Sequence, residues 1–214
     1  MNILVAGIPR SGSTRLYNII RLILLQKFSF ESLHCGWHDK FDLQKAGVHN
    51  IIKLHYFDQK WCDWADVIFT TKRDLRDVAA SSLEFHKHRG RVYGDEVLLN
   101  FLHAVIAMHD LWGFYSDYEL VYEEYGRFGL RDIMNVSEKL GLFDTNYGHV
   151  LDGVEEIKKN SVLERDQYDW VTLMSHYHIS ENTNLHFSER LSEDQTKLIN
   201  DNFGHWLLDN GYKI

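Results

Sequence analysis

One proline, two cysteines and no apolar run long enough to cross a bilayer mark this 214-residue chain by what it lacks. Cys35 and Cys62 form no CxxC pair and are too sparse for a disulfide framework, which points to a reducing compartment. The single proline leaves no Pro-rich linker, and neither repeats nor low-complexity stretches divide the chain. The apolar run from Leu16 to Phe28 is too short to span a membrane and is interrupted by Arg21 and Gln26. Positive charge is also scarce, with 23 Lys and Arg against 31 Asp and Glu, a net −8. A general nucleic-acid binder carries a basic excess, so no nucleic-acid partner is expected, and any polyanionic ligand must meet a local cluster of cations. No signal peptide is visible, because the chain enters directly into an apolar strand-like segment. A cytoplasmic setting without integral membrane association is therefore expected. The 13 histidines include His86-Lys87-His88 and His176-Tyr177-His178. Neither pair has a further His, Cys or carboxylate at metal-ligand spacing, so no metal site is expected.

What is present reads as one domain, residues 1–214, long enough to bury about 70% of its unfolded surface. Residues 2–7 read as a strand and 13–27 as a helix, with Leu16, Ile19, Ile20, Ile23 and Leu24 at helical spacing. Further strands are expected at 28–33, 50–56, 66–71 and 118–122. The apolar Val67-Ile68-Phe69 suits an inner parallel strand covered on both faces. Helices are expected at 75–88, 95–115 and 129–141. The stretch 144–190 reads as irregular, with a short helix near 152–160, and Ser192 caps a last helix ending near Asn210-Gly211. Strands alternating with helices imply an α/β domain, a central parallel sheet of about five strands flanked by helices. In such a sheet ligands bind at the carboxyl ends of the strands.

The richest stretch is Gly7-Ile8-Pro9-Arg10-Ser11-Gly12-Ser13-Thr14. It follows the strand-like Ile3-Leu4-Val5-Ala6 and leads into the first helix. Glycines allow the tight turn, and the first-turn N–H groups of the helix point at an anion. The spacing approaches that of a Walker A loop and makes the domain P-loop NTPase-like, but Ser13 stands where the Walker lysine would be. A phosphate ligand is expected, and ATP with Mg²⁺ is disfavoured. His55 and Arg73 each follow a predicted strand, so three chemically capable segments converge on one edge of the sheet.

Read together, three segments resemble sulfotransferases that use 3′-phosphoadenosine 5′-phosphosulfate (PAPS). Pro9-Arg10-Ser11-Gly12-Ser13-Thr14 resembles the family's 5′-phosphosulfate loop. Lys53-Leu54-His55 is similar to the Lys-x-His at a strand end in cytosolic members. Arg73-Asp74-Leu75-Arg76-Asp77-Val78-Ala79-Ala80-Ser81 resembles the 3′-phosphate motif, in which Arg and Ser stand eight apart. Leu120-Val121-Tyr122-Glu123-Glu124 is a weaker echo of a late strand ending in Tyr-Glu-Asp, and Leu191 to Tyr212 looks like the closing helix of bacterial members. The resemblance implies a metal-independent in-line sulfuryl transfer from PAPS to an acceptor hydroxyl or amine. By it, amides of Ser11, Gly12, Ser13 and Thr14 and the Ser13 and Thr14 hydroxyls hold the 5′-phosphate, and Arg10 sits by the bridging oxygen. Arg73 and Ser81 bind the 3′-phosphate, His55 is the general base, and Lys53 neutralises sulfuryl oxygens. The implied acceptor is a small-molecule, glycan or lipid alcohol. Trp37, Tyr56, Phe57, Trp61, Trp64, Phe85, Tyr93 and Trp112 are candidates for an aromatic acceptor pocket, and equally for the core.

The pattern departs from the family in three places. Arg15 stands where cytosolic members carry an adenine-stacking tryptophan, although glycan sulfotransferases often show Thr-Arg there. Leu75 replaces a common proline. The Arg-Lys-Gly loop that completes the 3′-phosphate site has no match, since Ser175 to His186 offers His176, His178, Asn182 and Asn184 but no Arg or Lys. Either another group completes that site or selectivity for the 3′-phosphate is weaker. A P-loop nucleotide or small-molecule kinase, and a non-catalytic nucleotide-binding module of the same fold, are the competing readings.

Overall fold

The structure, a computed structural model, describes residues 1–42, 47–160, 168–175 and 186–214. Five parallel strands form its centre: β1 (Asn2–Val5), β2 (Leu33–Trp37), β3 (His49–Lys53), β4 (Val67–Lys72) and β5 (Tyr118–Val121), in the order β2-β3-β1-β4-β5. β1 is the middle strand, with Val5 opposite Lys53 on one side and Phe69 on the other. Its alternating side chains feed two cores. Ile3 and Val5 join Ile51, Phe69 and the apolar face of helix α1 (Ser13–Leu25), while Leu4 and Ala6 join Ile52, Ile68, Trp61 and Trp112. Being apolar on both faces is what a parallel strand under helices on both sides requires.

The other helices are α2 (Gln59–Trp64), α3 (Leu75–His88), α4 (Asp95–Gly113), α5 (Tyr122–Lys139), α6 (Tyr147–Asn160) and α7 (Glu193–Asp209). α1, α5 and α6 pack together over one face, and α3, α4 and α7 share a third core built around Leu98, Leu102 and Phe203. Ser192 caps α7 through a reciprocal capping box with Gln195, as its position before the helix predicts. No helix among the described residues is long and apolar enough to cross a membrane.

Several boundaries differ from the sequence expectation. The second strand runs over Leu33–Trp37, and the expected 28–33 stretch instead holds a 3₁₀ turn at Phe30–Ser32. Pairing decides this register, because Leu33 to Trp37 lie opposite His49 to Lys53. α5 begins at Tyr122 without a loop, and α6 begins at Tyr147 within the stretch expected to be irregular. α2, which pattern alone did not reveal, is a short helix capped by Asp58, whose carboxylate accepts from the Lys60 amide at 3.0 Å. Trp61, Trp112, Phe57 and Trp64 belong to the core beneath the sheet.

Candidate active site

Strand β1 is followed by the glycine-rich turn, and local sterics shape it. A Cβ on Gly7 would fall 2.5 Å from Ser13 Cβ and against Thr71 Oγ1, so only glycine lets the turn approach β4 this closely. Gly12 adopts φ +87° as the residue before α1, with the Tyr122 ring against it, and Arg10 also holds a left-handed φ of +65°. Ser11 closes the turn from inside. Its Oγ donates to the Ile8 carbonyl at 2.6 Å and makes a short hydrogen bond with Thr71 Oγ1. α1 starts with no side-chain cap and no acidic residue in its first turn. Its partially positive end therefore faces the turn without a built-in anion.

The neighbouring strand ends supply the charge. Lys53, the last residue of β3, is 1% exposed. Its Nζ donates to Thr14 Oγ1 and stands 4.5 Å from the Trp37 ring centroid. Burial, together with Arg10, brings the ammonium down to about 7. His55 Nδ1 lies 2.5 Å from the Gly7 carbonyl oxygen, which can only accept, so Nδ1 carries the proton and Nε2 keeps its lone pair. Burial and the nearby Lys53 hold this imidazole down at about 3, and the bond to Gly7 opposes that shift. It is neutral throughout the ordinary working range.

Arg73, just past β4, donates through Nη1 to the Arg10 carbonyl at 3.1 Å and lies 4.1 Å from the Tyr122 ring centroid, while its buried Nε has no hydrogen-bond partner. Arg10 donates through Nε to Ser81 Oγ at 2.9 Å, so in this structure its guanidinium reaches toward α3. Burial, then repulsion from Arg73, lowers it to about 10. Among the described residues, no carboxylate lies within 4 Å of Arg10, Lys53 or Arg73. Two buried cations, Lys53 and Arg73, crowd together with the half-buried Arg10 in a chain of net charge −8, and none of the three forms a salt bridge among the described residues.

These groups open onto one cavity of about 690 Å³. It brings together Arg10, Gly12, Ser13, Thr14, Arg15, Lys53, His55, Arg73 and Ser81. Ser11 stays out of it: its hydroxyl is committed to Ile8 and Thr71, and its amide to the Ile8 carbonyl at 3.4 Å. Arg15 lines the wall while its Nη2 pairs with Glu155 at 3.3 Å. Of the aromatic candidates, Trp37, Tyr56 and Phe85 line the cavity, and Tyr93 lies against His86 instead. His176, His178, Asn182 and Asn184 lie outside the described residues. No group of three or more His, Cys, Asp or Glu side chains converges as a metal site among the described residues.

Sequence reasoning missed most of the remaining wall. Tyr122 covers both Gly12 and Arg73, and it was visible only as the weak Tyr-Glu echo after the fifth strand. A strap at 168–175 lies across α1, tied by Tyr17 Oη donating to the Val171 carbonyl at 3.1 Å and Asn18 Nδ2 to that of Thr172 at 2.7 Å. The strap carries Tyr168, which accepts from Trp37 Nε1, and brings Met174 and Ser175 to the cavity. Pairing over so long a separation leaves no local signal in the sequence.

No protein-family model matches the chain, and no curated protein does either. Solved structures do. Retinol dehydratase in complex with androsterone and the inactive cofactor PAP is similar at TM-score 0.70 and 16% identity, over 100% of this chain and 82% of that one. A mouse sulfotransferase, SULT7A1, complexed with PAP is similar at TM-score 0.67 and 14% identity, over 96% of this chain and 84% of that one. Retinol dehydratase with retinol and PAP is similar at TM-score 0.67 and 14% identity, over 100% and 83%. The chain has the sulfotransferase fold. At these identities the likeness is one of fold. The sulfotransferase fold thus presents, in this chain, a cationic cavity at the carboxyl ends of β1, β3 and β4.

Proposed function

We propose that this protein is a PAPS-dependent sulfotransferase that transfers a sulfuryl group to an acceptor hydroxyl or amine. The observation that carries the reading is the cluster of buried Lys53 and Arg73 with half-buried Arg10, which among the described residues has no carboxylate within 4 Å and faces the uncapped start of α1. Buried charges without partners are unstable unless a ligand neutralises them. The residues fit an adenosine bisphosphate. The α1 amides and the Ser13 and Thr14 hydroxyls would hold the 5′-phosphate, and Arg73 and Ser81 the 3′-phosphate. An oxyanion held by Arg73 would also give its buried, unpartnered Nε an acceptor.

PAPS, when bound, supplies a sulfuryl group whose bond to the 5′-phosphate oxygen breaks as the bond to the acceptor oxygen forms. His55 Nε2 takes the acceptor's proton, and the Gly7 carbonyl holds the ring in the tautomer that this needs. Bound anions raise the basicity of the imidazole from its depressed value, since they offset the Lys53 and Arg10 fields that depress it. Lys53 stabilises charge on the peripheral oxygens, and the same offset keeps it protonated. Arg10 swings from Ser81 to the leaving phosphate oxygen, or stays and shares the 3′-phosphate.

Calorimetric titration with adenosine 3′,5′-bisphosphate and with ATP, each with and without Mg²⁺, tests the reading. Metal-independent binding of the bisphosphate, with ATP much weaker, is expected. Mg²⁺-dependent ATP binding with no bisphosphate signal would overturn it in favour of a kinase.

A further inference from the structure

The densest basic run of the chain, His86-Lys87-His88-Arg89-Gly90-Arg91, has no role in the reading above, and no Asp or Glu occurs between Glu84 and Asp95. α3 ends inside this run and brings His86 and Arg89 to the cavity wall. Exposure rises along the helix: Ser81 is buried, Phe85 half-buried and Arg89 exposed. Phe85 lies one turn, about 6 Å, beyond Ser81 toward the open end. The Arg89 guanidinium stands 4.5 Å from the Phe85 ring centroid, and that of Arg10 stands 5.0 Å from the same centroid. The ring of His86 lies against Tyr93, tilted by 32° with centroids 4.0 Å apart, and its buried Nδ1 has no hydrogen-bond partner among the described residues. No described residue lining the cavity is acidic, whereas Arg10, Arg15, Lys53, Arg73, Arg89 and Lys158 all line it. This lobe is an aromatic plate shared by two guanidiniums, at the mouth of a cavity whose field attracts anions.

We infer that the Phe85 lobe receives the acceptor, and that the acceptor carries an oxyanionic group, a carboxylate or a phosphate, held by Arg89. The inference rests on the sulfotransferase reading and extends it to a substrate class. It sets this chain apart from retinol dehydratase, whose structures hold the uncharged alcohols androsterone and retinol. Arg89 suits the task because a guanidinium forks onto two oxygens of one oxyanion while its face remains on the ring. Its Cα lies about two turns, roughly 12 Å, beyond Ser81 toward the open end, and the test below separates it from a phosphate held by Arg73 and Ser81.

The test uses the full chain saturated with adenosine 3′,5′-bisphosphate, titrated calorimetrically with 4-hydroxyphenylacetate, 4-hydroxyphenyl phosphate and the uncharged 4-hydroxyphenylacetamide. At least one of the two anions is expected to bind about tenfold tighter than the amide, and the tighter one names the oxyanion. In Arg89→Gln that preference falls to about twofold or less, while bisphosphate affinity stays within about twofold of wild type. Equal binding of anions and amide, no saturable anion binding, or a preference that survives Arg89→Gln overturns the inference. Weakened bisphosphate binding in Arg89→Gln also overturns it, because it assigns Arg89 to the donor. If the wild type does not bind the bisphosphate at all, the sulfotransferase reading itself falls.

Discussion

At the floor of the cavity, where β1, β3 and β4 end, Lys53 and Arg73 are deeply buried and held from two sides. Lys53 is 1% exposed between Thr14 and Trp37, and Arg73 is 7% exposed between Arg10 and Tyr122. At the wall, by contrast, Arg89 and Tyr56 are exposed, and the 168–175 strap is tied by a few hydrogen bonds to α1. The floor hangs on strand ends whose positions the sheet fixes, and the wall hangs on helix ends and loops that the core fixes less tightly. That division suits a transferase. Rigid strand ends hold the geometry that chemistry needs, and a looser rim is where acceptor preference is set.

The comparison predicts that floor substitutions act on turnover and donor binding, and wall substitutions on acceptor use. The largest effect is expected for His55→Ala, with turnover lower by about 10² to 10⁴ and bisphosphate affinity nearly unchanged. Parallel loss of both would mean that His55 only supports the fold of the floor. Next, Arg73→Ala should weaken bisphosphate binding by about 2–3 kcal/mol, since a buried charge-assisted contact is lost. Calorimetry giving an unchanged affinity would remove Arg73 from the site.

Gly12→Ala is expected to destabilise the free protein by about 1–3 kcal/mol, because φ +87° is strained for alanine and the new Cβ meets the Tyr122 ring. Thermal melting of Gly12→Ala with and without Tyr122→Ala separates the two causes, and partial rescue in the double variant is the expected result. Lys53 gives the floor a pH signature. With its ammonium lowered to about 7 in the free protein and raised by a bound anion, binding above that pH takes up a proton. Affinity for the bisphosphate should therefore fall as pH rises through the range above 7, by up to about tenfold per unit. Calorimetry in buffers of different ionisation enthalpy reads the proton directly, and Lys53→Met should flatten the slope. The smallest effect belongs to the wall. Tyr168→Phe removes the acceptor of the Trp37 Nε1 bond, costing about 0.5–1.5 kcal/mol. It should raise acceptor KM a few-fold while leaving kcat and bisphosphate binding in place, and a fall in kcat alone would instead tie Tyr168 to the chemistry.

Most of the floor was legible before folding. Short continuous apolar runs marked β1, β3 and β4, and a parallel sheet collects the residues that follow such strands at one edge. That logic brought Lys53, His55 and Arg73 together at one cavity, while Ser11 turns its hydroxyl inward to Thr71. Tyr122 was harder to find, because its place over Gly12 depends on how β5 passes directly into α5. The aromatic residues were ambiguous for a simpler reason. A tryptophan suits a pocket and a core equally well, so Trp37 at the cavity and Trp112 beneath the sheet look alike in the sequence.

By itself the sequence determined the α/β alternation, the glycine-rich turn after β1 and the convergence of three cationic segments, because apolar strand runs, glycine spacing and the parallel rule are local properties that add up. Only the tertiary structure decided which side chain completes which contact. The Lys53–Thr14 bond, the Tyr168–Trp37 bond and the joining of Arg10 to Ser81 and Phe85 all link residues far apart in the chain. Such contacts exist only once packing has brought whole elements together. For the same reason nothing in the sequence of the run His86–Arg91 marked His86 and Arg89 as cavity residues; the end of α3 brings them there.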